Sequence, residues 1–393
     1  MMLLVRWSLI LIVFSCQCVY ATSKHSSLCE KYYPHWNCND SEQLKKLTAI
    51  EDFINKYPNG KGIAAFDWDG TLYHENINDP DNPDKTVSIK VSYRKWAANN
   101  LKKYPYLFPS FKADPATLEE HRSNIRKEIN FLTGATYEPN ENHEGKSEVR
   151  NKIKLKGYDK YLQNAKFESG MTLEEVRSSI NDYLVEYSPE DYAYTRILDI
   201  AQRFSDKNFM VIIITAGNSY LVANLLTTKN GINRVLKYKL FSDCLPTTKN
   251  VSRYMTHCNI IGNSPKLLKD SNGRYRFTSV FDDRFLHDII KTDERVAVTG
   301  YGKKLVLKHL SQKHGLPLIF YAGNSDNDVE GMQAVLDSGN AMGIFVNPGS
   351  DGTTFKNILS SPKCSNTDNK NICLFIEEPS EKQDNKNTKA SSD

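Results

Sequence analysis

Gly62-Ile63-Ala64-Ala65-Phe66-Asp67-Trp68-Asp69-Gly70-Thr71-Leu72-Tyr73 is the stretch that decides the fold class of this 393-residue chain. An apolar run stops at two aspartates, one residue apart, and Gly-Thr follows at once. The run reads as a buried strand with Asp67 at its carboxyl end. In an open α/β sheet, ligands bind beyond the carboxyl ends of the strands. Period-two spacing sets Asp67 and Asp69 on one side if the strand continues by a residue. Gly70 then lets the backbone turn sharply and approach a ligand. Two carboxylates this close repel, and an oxygen-seeking cation such as Mg2+ relieves the repulsion. One carboxylate is suited to attack phosphorus as a nucleophile, the other to serve as general acid and base. The competing reading is a turn with two solvated acids. The strand before it and Thr71-Leu72-Tyr73 after it favour chemistry.

Asp67-Trp68-Asp69-Gly70-Thr71 resembles the first motif of the haloacid dehalogenase-like phosphatases. That family carries four short motifs in fixed order along a Rossmann-like core. The resemblance implies an α/β parallel-sheet core with an inserted, mostly helical cap, and three further motifs downstream. Met210-Val211-Ile212-Ile213-Ile214-Thr215-Ala216-Gly217-Asn218 is a β-branched run that ends in a hydroxyl and a glycine, as a buried parallel strand does. The Thr215 hydroxyl and nearby backbone N–H groups, Ala216 included, suit phosphate oxygens, and the stretch is similar to the second motif.

Gly300-Tyr301-Gly302-Lys303-Lys304-Leu305 opens a helical pattern. A lysine at a helix start opposes the macrodipole, which points to an anion nearby. Such a lysine neutralises a nucleophilic aspartate and a transferring phosphoryl group. The resemblance implies this role for Lys303, with Lys304 as the alternate; an ordinary surface pair is the competing reading. Leu318-Ile319-Phe320-Tyr321-Ala322-Gly323-Asn324-Ser325-Asp326-Asn327-Asp328 is an apolar strand running into a glycine turn rich in oxygen ligands, which suits Mg2+. It resembles the fourth motif, commonly Gly-Asp with a second Asp a few residues on. Asp328 matches the second acid, and Asn324 stands at the first. An amide oxygen still ligates Mg2+ but carries no charge, so metal affinity is expected to fall. Val280-Phe281-Asp282-Asp283 also ends a strand in two acids, but it precedes the lysine and so breaks the family order.

A net charge of +4, with no dense basic stripe, argues against a polynucleotide partner. A hydrophobic share of 39% and a charged share of 25% are ordinary for a globular protein. Residues 1–21 have the layout of a secretory signal peptide: Arg6, the apolar Leu9–Phe14, and Val19-Tyr20-Ala21 before the expected cut. The apolar stretch is short for an uncleaved anchor, and no later segment is long and apolar enough to span a membrane. Cleavage removes Cys16 and Cys18 and leaves Cys29, Cys38, Cys244, Cys258, Cys364 and Cys373 in three local pairs. An even number in an oxidising compartment favours disulfides, with nearest-neighbour links expected; a zinc site is the rival, without a Cys-x-x-Cys pair to support it. Asn39-Asp40-Ser41 and Asn250-Val251-Ser252 are glycosylation sequons.

The domain reading is an N-terminal extension over 22–59, a core over 60–73 and 196–376, an inserted cap over 74–195 and a disordered tail over 377–393. Helices are expected at Gln43–Tyr57, Leu118–Leu132, Leu173–Val185, Pro189–Phe204 and from Ser219. Strands are expected at Leu318–Ala322 and Met342–Val346, with a hairpin through Asn272-Gly273. An insert directly after the first strand sits over its carboxyl end. Trp68, Tyr93, Trp96, Tyr104 and Tyr106 suggest a cation–π enclosure for a quaternary ammonium group; core packing is the reading preferred.

The expectation is a secreted, Mg2+-dependent phosphomonoesterase. Its catalytic residues are Asp67 and Asp69, its phosphate-binding residues Thr215, Ala216 and Lys303, and its metal-binding residues Asp67, Asp69, Asn324 and Asp328. A loose likeness to phosphoserine and phosphorylcholine phosphatases implies phosphocholine or another small phosphomonoester as substrate. The alternatives are a phosphotransferase or phosphomutase with the same aspartyl-phosphate, or a non-catalytic phospho-ligand binder.

Overall fold

The computed structural model describes residues 28–111, 117–134, 167–244, 258–281, 297–347, 357–358, 361–365 and 371–378. The expected signal peptide, the Asn250 sequon and the acids Asp282 and Asp283 lie outside them.

Strand β1 is Ile63–Phe66, buried throughout. A hairpin follows, β2 (Ile77–Asp79) and β3 (Asn82–Val87). Strand β4 is Met210–Ile214, and β5 is the two-residue Ile260–Ile261. A second hairpin is β6 (Pro265–Lys269) and β7 (Tyr275–Phe281), and β8 (Leu318–Gly323), β9 (Met342–Val346) and β10 (Ile372–Ile376) complete the set. Six strands form one sheet in the order β10-β9-β8-β1-β4-β5, and every pairing is parallel. The fold is therefore α/β, as the sequence reading expected.

The alternation of β1 divides the core into two layers. Ala64 and Phe66 pack on one face with Leu47, Ile50 and Phe53 of helix α1 (Ser41–Lys56). Ile63 and Ala65 pack on the other. Helices α2 (Ile89–Asn99), α3 (Leu118–Gly134) and α4 (Leu173–Glu186) lie between β1 and β4 in sequence. Helix α5 (Thr195–Asp206) joins the first face through Ile197, Leu198 and Phe204. Helix α6 (Ser219–Thr227) follows β4. Helices α7 (Tyr301–His314) and α8 (Val329–Leu336) cover the second face through Val306, Leu307, Met332 and Val335. Coverage on both faces is why these strands read as continuous apolar runs.

Pro189–Phe204 is expected as one helix and is broken in two. Only Pro189–Tyr192 and α5 are helical. Between them Tyr194 N donates to Leu72 O (3.1 Å), and His74 N donates to Tyr192 O (2.8 Å). The end of the insert is thereby tied to the turn after β1. The insert also meets the β6–β7 hairpin: Gly170 N donates to Phe277 O (2.8 Å), and Phe277 N to Met171 O (2.9 Å).

All three nearest-neighbour disulfides form: Cys29–Cys38, Cys244–Cys258 and Cys364–Cys373. Of Glu377 and Glu378, read in the sequence as the start of a tail, Glu378 is buried, while Glu377 is exposed and tied through its carbonyl. Glu378 accepts from Ile197 N (3.0 Å) at the start of α5, and Arg196 donates to Glu377 O (2.9 Å). Residues 379–393 lie outside the described set. Among the described residues, no helix is long and apolar enough to cross a membrane.

Candidate active site

Strands β4 and β8 flank β1 on opposite sides, so the carboxyl end of β1 is the switch point where a parallel sheet opens a crevice. Asp67 follows β1 there, its N–H donating to Ala322 O of β8 (2.9 Å). Thr215 follows β4, its N–H donating to Ile261 O of β5 (2.9 Å). Asn324 follows β8. Register alone therefore brings together the ends of three stretches that are far apart in sequence.

Lys303 sits in the first turn of α7 and is 1% exposed. Its ammonium donates to Asp67 Oδ1 and to Asp328 Oδ1, each at 2.7 Å. Lys304 instead pairs with Glu330 (3.3 Å), so the lysine at the buried acids is Lys303. Burial pulls the Lys303 ammonium down, but Asp328 and Asp67 outweigh it and hold its pKa above the usual value. Burial and then the negative charge of Asp328 push the Asp67 carboxyl up to about 8, against the opposing pull of Lys303.

Asp328 is held on both oxygens. Tyr321 donates its hydroxyl to Oδ1 (2.7 Å), while Asn324 N (3.1 Å), Ser325 N (3.2 Å) and Ser325 Oγ (3.3 Å) donate to Oδ2. Its observed work is to anchor Lys303 and to shape its own turn. Asp69 is half-buried. A Cβ added to Gly217 would lie 3.2 Å from Thr215 Oγ1 and 3.9 Å from Asp69 Oδ2, so the Asp69 carboxylate faces the turn after β4. Thr215 Oγ1 accepts from Gly217 N (2.9 Å).

Gly70 explains its own identity. Its φ is +72°, and a Cβ there would fall 1.9 Å from Asn324 Nδ2. The glycine lets the Asn324 amide rest against the main chain. Asn324 is 6% exposed, and its side-chain oxygen has no hydrogen-bond partner. A buried acceptor without a donor is destabilising, and an oxygen-seeking cation satisfies it. Asp67, Asp69 and Asp328 against Lys303 also leave negative charge in excess. These oxygen donors and this charge fit Mg2+. Among the described residues, no three His, Cys, Asp or Glu side chains form a ready metal cage.

Two residues at the site escaped the sequence reading. Tyr321 sits mid-strand in an apolar run, where a tyrosine reads as core. Glu75 keeps an exposed edge, yet desolvation and then the charge of Asp69 push its carboxyl above the ordinary value, with an Asn324 hydrogen bond opposing them. Of the aromatic residues named from the sequence, Trp68, Tyr93, Trp96 and Tyr104 pack as core, and Tyr106 packs half-buried against it. Trp68 stacks on Tyr73 (5.5 Å), and Trp96 meets Tyr183 and Tyr104. Tyr93, Trp96 and Tyr104 are buried, as is Trp68.

The structure defines an α/β protein with a buried aspartate–lysine–aspartate cluster at the carboxyl edge of a parallel sheet. A scan against protein-family models and a search of curated proteins each find no match. Among solved structures, the chain is similar to a conserved functionally unknown protein from Anaerococcus prevotii DSM 20548. That likeness has 13% identity and a TM-score of 0.41, over 80% of this chain and 88% of the other. It is also similar to cytosolic 5'-nucleotidase IIIB bound to cytidine, at 12% identity and a TM-score of 0.42 over 86% and 87% of the two chains.

Proposed function

We propose that the protein is a Mg2+-dependent phosphomonoesterase that acts through an aspartyl-phosphate on Asp67. The observation that carries the reading is the Lys303 ammonium, 2.7 Å from Asp67 and from Asp328 at the switch point of the sheet. Lys303 holds one Asp67 oxygen, and the other attacks phosphorus. The ester P–O bond breaks as the Asp67 O–P bond forms, and Asp69 gives its proton to the leaving alcohol. Water then attacks phosphorus, Asp69 takes its proton, and the Asp67 O–P bond breaks to release phosphate. The Thr215 hydroxyl, the Ala216 N–H and Lys303 hold the phosphoryl oxygens. Asp67, the Asp69 carbonyl and Asn324 would hold Mg2+, with Asp328 reaching it through water. Bound there, the ion supplies positive charge against the phosphoryl oxygens.

Residues 74–195 serve in this reading as the cap that selects a small phosphomonoester, phosphocholine being the first to try. The three disulfides support an oxidising, extracellular setting. The test is phosphate release from p-nitrophenyl phosphate with Mg2+ and with chelator, beside Asp67→Asn. Release is expected to need the metal and to vanish in the variant. Full activity in Asp67→Asn would overturn the mechanism, and alcohol acceptors that outcompete water would mark a phosphotransferase instead.

A further inference from the structure

We infer that Asn263 is a positioning residue that sets which way the phosphate-binding turn faces; the inference rests on the phosphomonoesterase reading and adds a residue to it. Asn263 follows β5, outside all four stretches that the sequence singled out. Its main-chain N–H donates to Gly217 O, and its Nδ2 donates to Ala216 O, both at 2.8 Å. Its Oδ1 accepts from Val298 N at 2.8 Å. Gly262 makes this approach possible, since a Cβ there would fall 2.5 Å from Gly217 O and 2.9 Å from Thr215 Cγ2.

In a trans peptide the C=O and the following N–H point in opposite directions. Thr215 O lies on this side as well, 3.2 Å from a Cβ on Gly262, so with the carbonyls of Ala216 and Gly217 tied back the N–H groups of Ala216, Gly217 and Asn218 all turn away from Asn263. The Gly217 N–H accordingly meets the Thr215 hydroxyl at 2.9 Å, on the side that faces Asp69. A carbonyl turned to that side would set a partial negative charge against the bound anion. Asn263 thus fixes the sign of the potential that the turn presents.

The same side chain reaches toward the lysine. Val298 leads through Thr299 and Gly300 into α7, which carries Lys303. At its far end this lead-in is held by Asn327: Gly300 N donates to Asn327 O (3.2 Å), and Thr299 Oγ1 to Asn327 Oδ1 (3.3 Å). Asn263 and Asn327 therefore brace one short segment between the turn after β4 and the turn after β8. The brace sets the distance between the two groups that grip the phosphoryl oxygens. Ser264 extends it by accepting from Ser219 N (3.0 Å) at the start of α6.

The test is inorganic phosphate binding by calorimetry with Mg2+ present, on wild type, Asn263→Ala and Asn263→Asp. Kinetics on p-nitrophenyl phosphate and melting temperatures accompany it. Asn263→Asp keeps the shape and the acceptor for Val298, but sets a carboxylate oxygen against Ala216 O. Each variant is expected to bind phosphate about tenfold more weakly, since a turn no longer held by Asn263 gives up a hydrogen bond to the charged phosphate. A fall of about a hundredfold in kcat is expected, as when one oxyanion donor is removed. Both variants are expected to melt below wild type, so binding and kinetics are compared at a temperature where each still shows a full cooperative unfolding transition above it. Wild-type phosphate affinity and kcat/KM in folded Asn263→Asp would overturn the inference and leave Asn263 a brace of the fold alone. A wild type that neither binds phosphate nor turns over the ester overturns the underlying reading, and this inference with it.

Discussion

At the residue scale, Asp67 carries a charge conflict. It is buried beside Asp328, with Lys303 as the shared counter-ion, and its pKa is raised to about 8. A carboxyl raised above its unfolded value near 3.9 binds its proton in the folded state first, so stability falls as pH rises between about 4 and 8. In chelator, Asp67→Asn is therefore expected to melt higher than wild type at pH 8, with the gap closing toward pH 5. A gap that stays constant across that range would show that Asp67 does not titrate there. Lys303→Met takes the opposite course, because it leaves the buried Asp328–Asp67 pair without its ammonium. Breaking a buried pair in this way costs about 3–5 kcal/mol, readable as a lower denaturant midpoint, and phosphate release should be lost. Gly70→Ala meets two obstacles, a φ of +72° and the Asn324 amide 1.9 Å from the new Cβ. A loss of about 2 kcal/mol or more is expected in thermal or denaturant unfolding.

At the element scale, the N-terminal extension is fastened to the core by several polar contacts, among them His35 with Asp199 and Trp36 with Arg196 O, and by one buried ion pair. Arg203 of α5 donates to both carboxylate oxygens of Glu51 on α1, at 2.5 and 3.0 Å, and Tyr33 adds its hydroxyl at 2.7 Å. Burial raises the Glu51 pKa, but the hydrogen bonds from Arg203 and Tyr33 outweigh it and hold the carboxyl below its usual value. A depressed carboxyl stabilises above its unfolded pKa, and that stability is lost as pH falls through the folded one. Arg203→Met is expected to lower stability at pH 7 by about 3 kcal/mol or more, with the deficit shrinking below pH 4 in an acid titration. The elements differed in how legible they were. β1, β4, β8 and β9 could be read because both faces are covered, which makes each an unbroken apolar run. β5 has only Ile260 and Ile261, too short to show a period, and it becomes a strand because β4 offers an edge beside it. β3 holds Pro83 and Asp84, which argue against a strand, yet it pairs at the exposed margin where a missing N–H is tolerated. The site shows the same division. Asp67, Asp69, Lys303 and Asp328 stand where elements begin or end, and chain order exposes them. Tyr321 and Glu75 join the site through tertiary contacts that no local pattern records, and the contacts behind the proposal for Asn263 are of the same kind.

At the scale of the whole molecule, the sheet order gathers negative charge at one edge. The carboxyl ends of β1 and β8 bring Asp67, Asp69 and Asp328 to one place, and Lys303 answers only part of their charge. Asn324 softens the excess by offering a neutral oxygen at the position where an acid would add to it. That oxygen is buried and without a partner, so the fold without metal carries both an electrostatic and a hydrogen-bonding deficit. A cation that binds only the folded chain stabilises it by mass action, about 2.7 kcal/mol at a hundred times its Kd. Mg2+ is therefore expected to raise the melting temperature of wild type, and chelator to reverse the rise. Asn324→Asp separates charge from shape, since it alters only the amide. Without metal the variant should melt below wild type, because another carboxylate joins like charges in a buried place. With Mg2+ it should overtake its own metal-free form by a wider margin and respond at a lower concentration. Asn324→Ala removes the donor and should shrink the response. The readout is melting temperature against Mg2+ concentration, which needs no substrate. Equal Mg2+ responses in wild type, Asn324→Asp and Asn324→Ala would remove Asn324 from the metal site and leave the unpartnered oxygen as a defect of the fold.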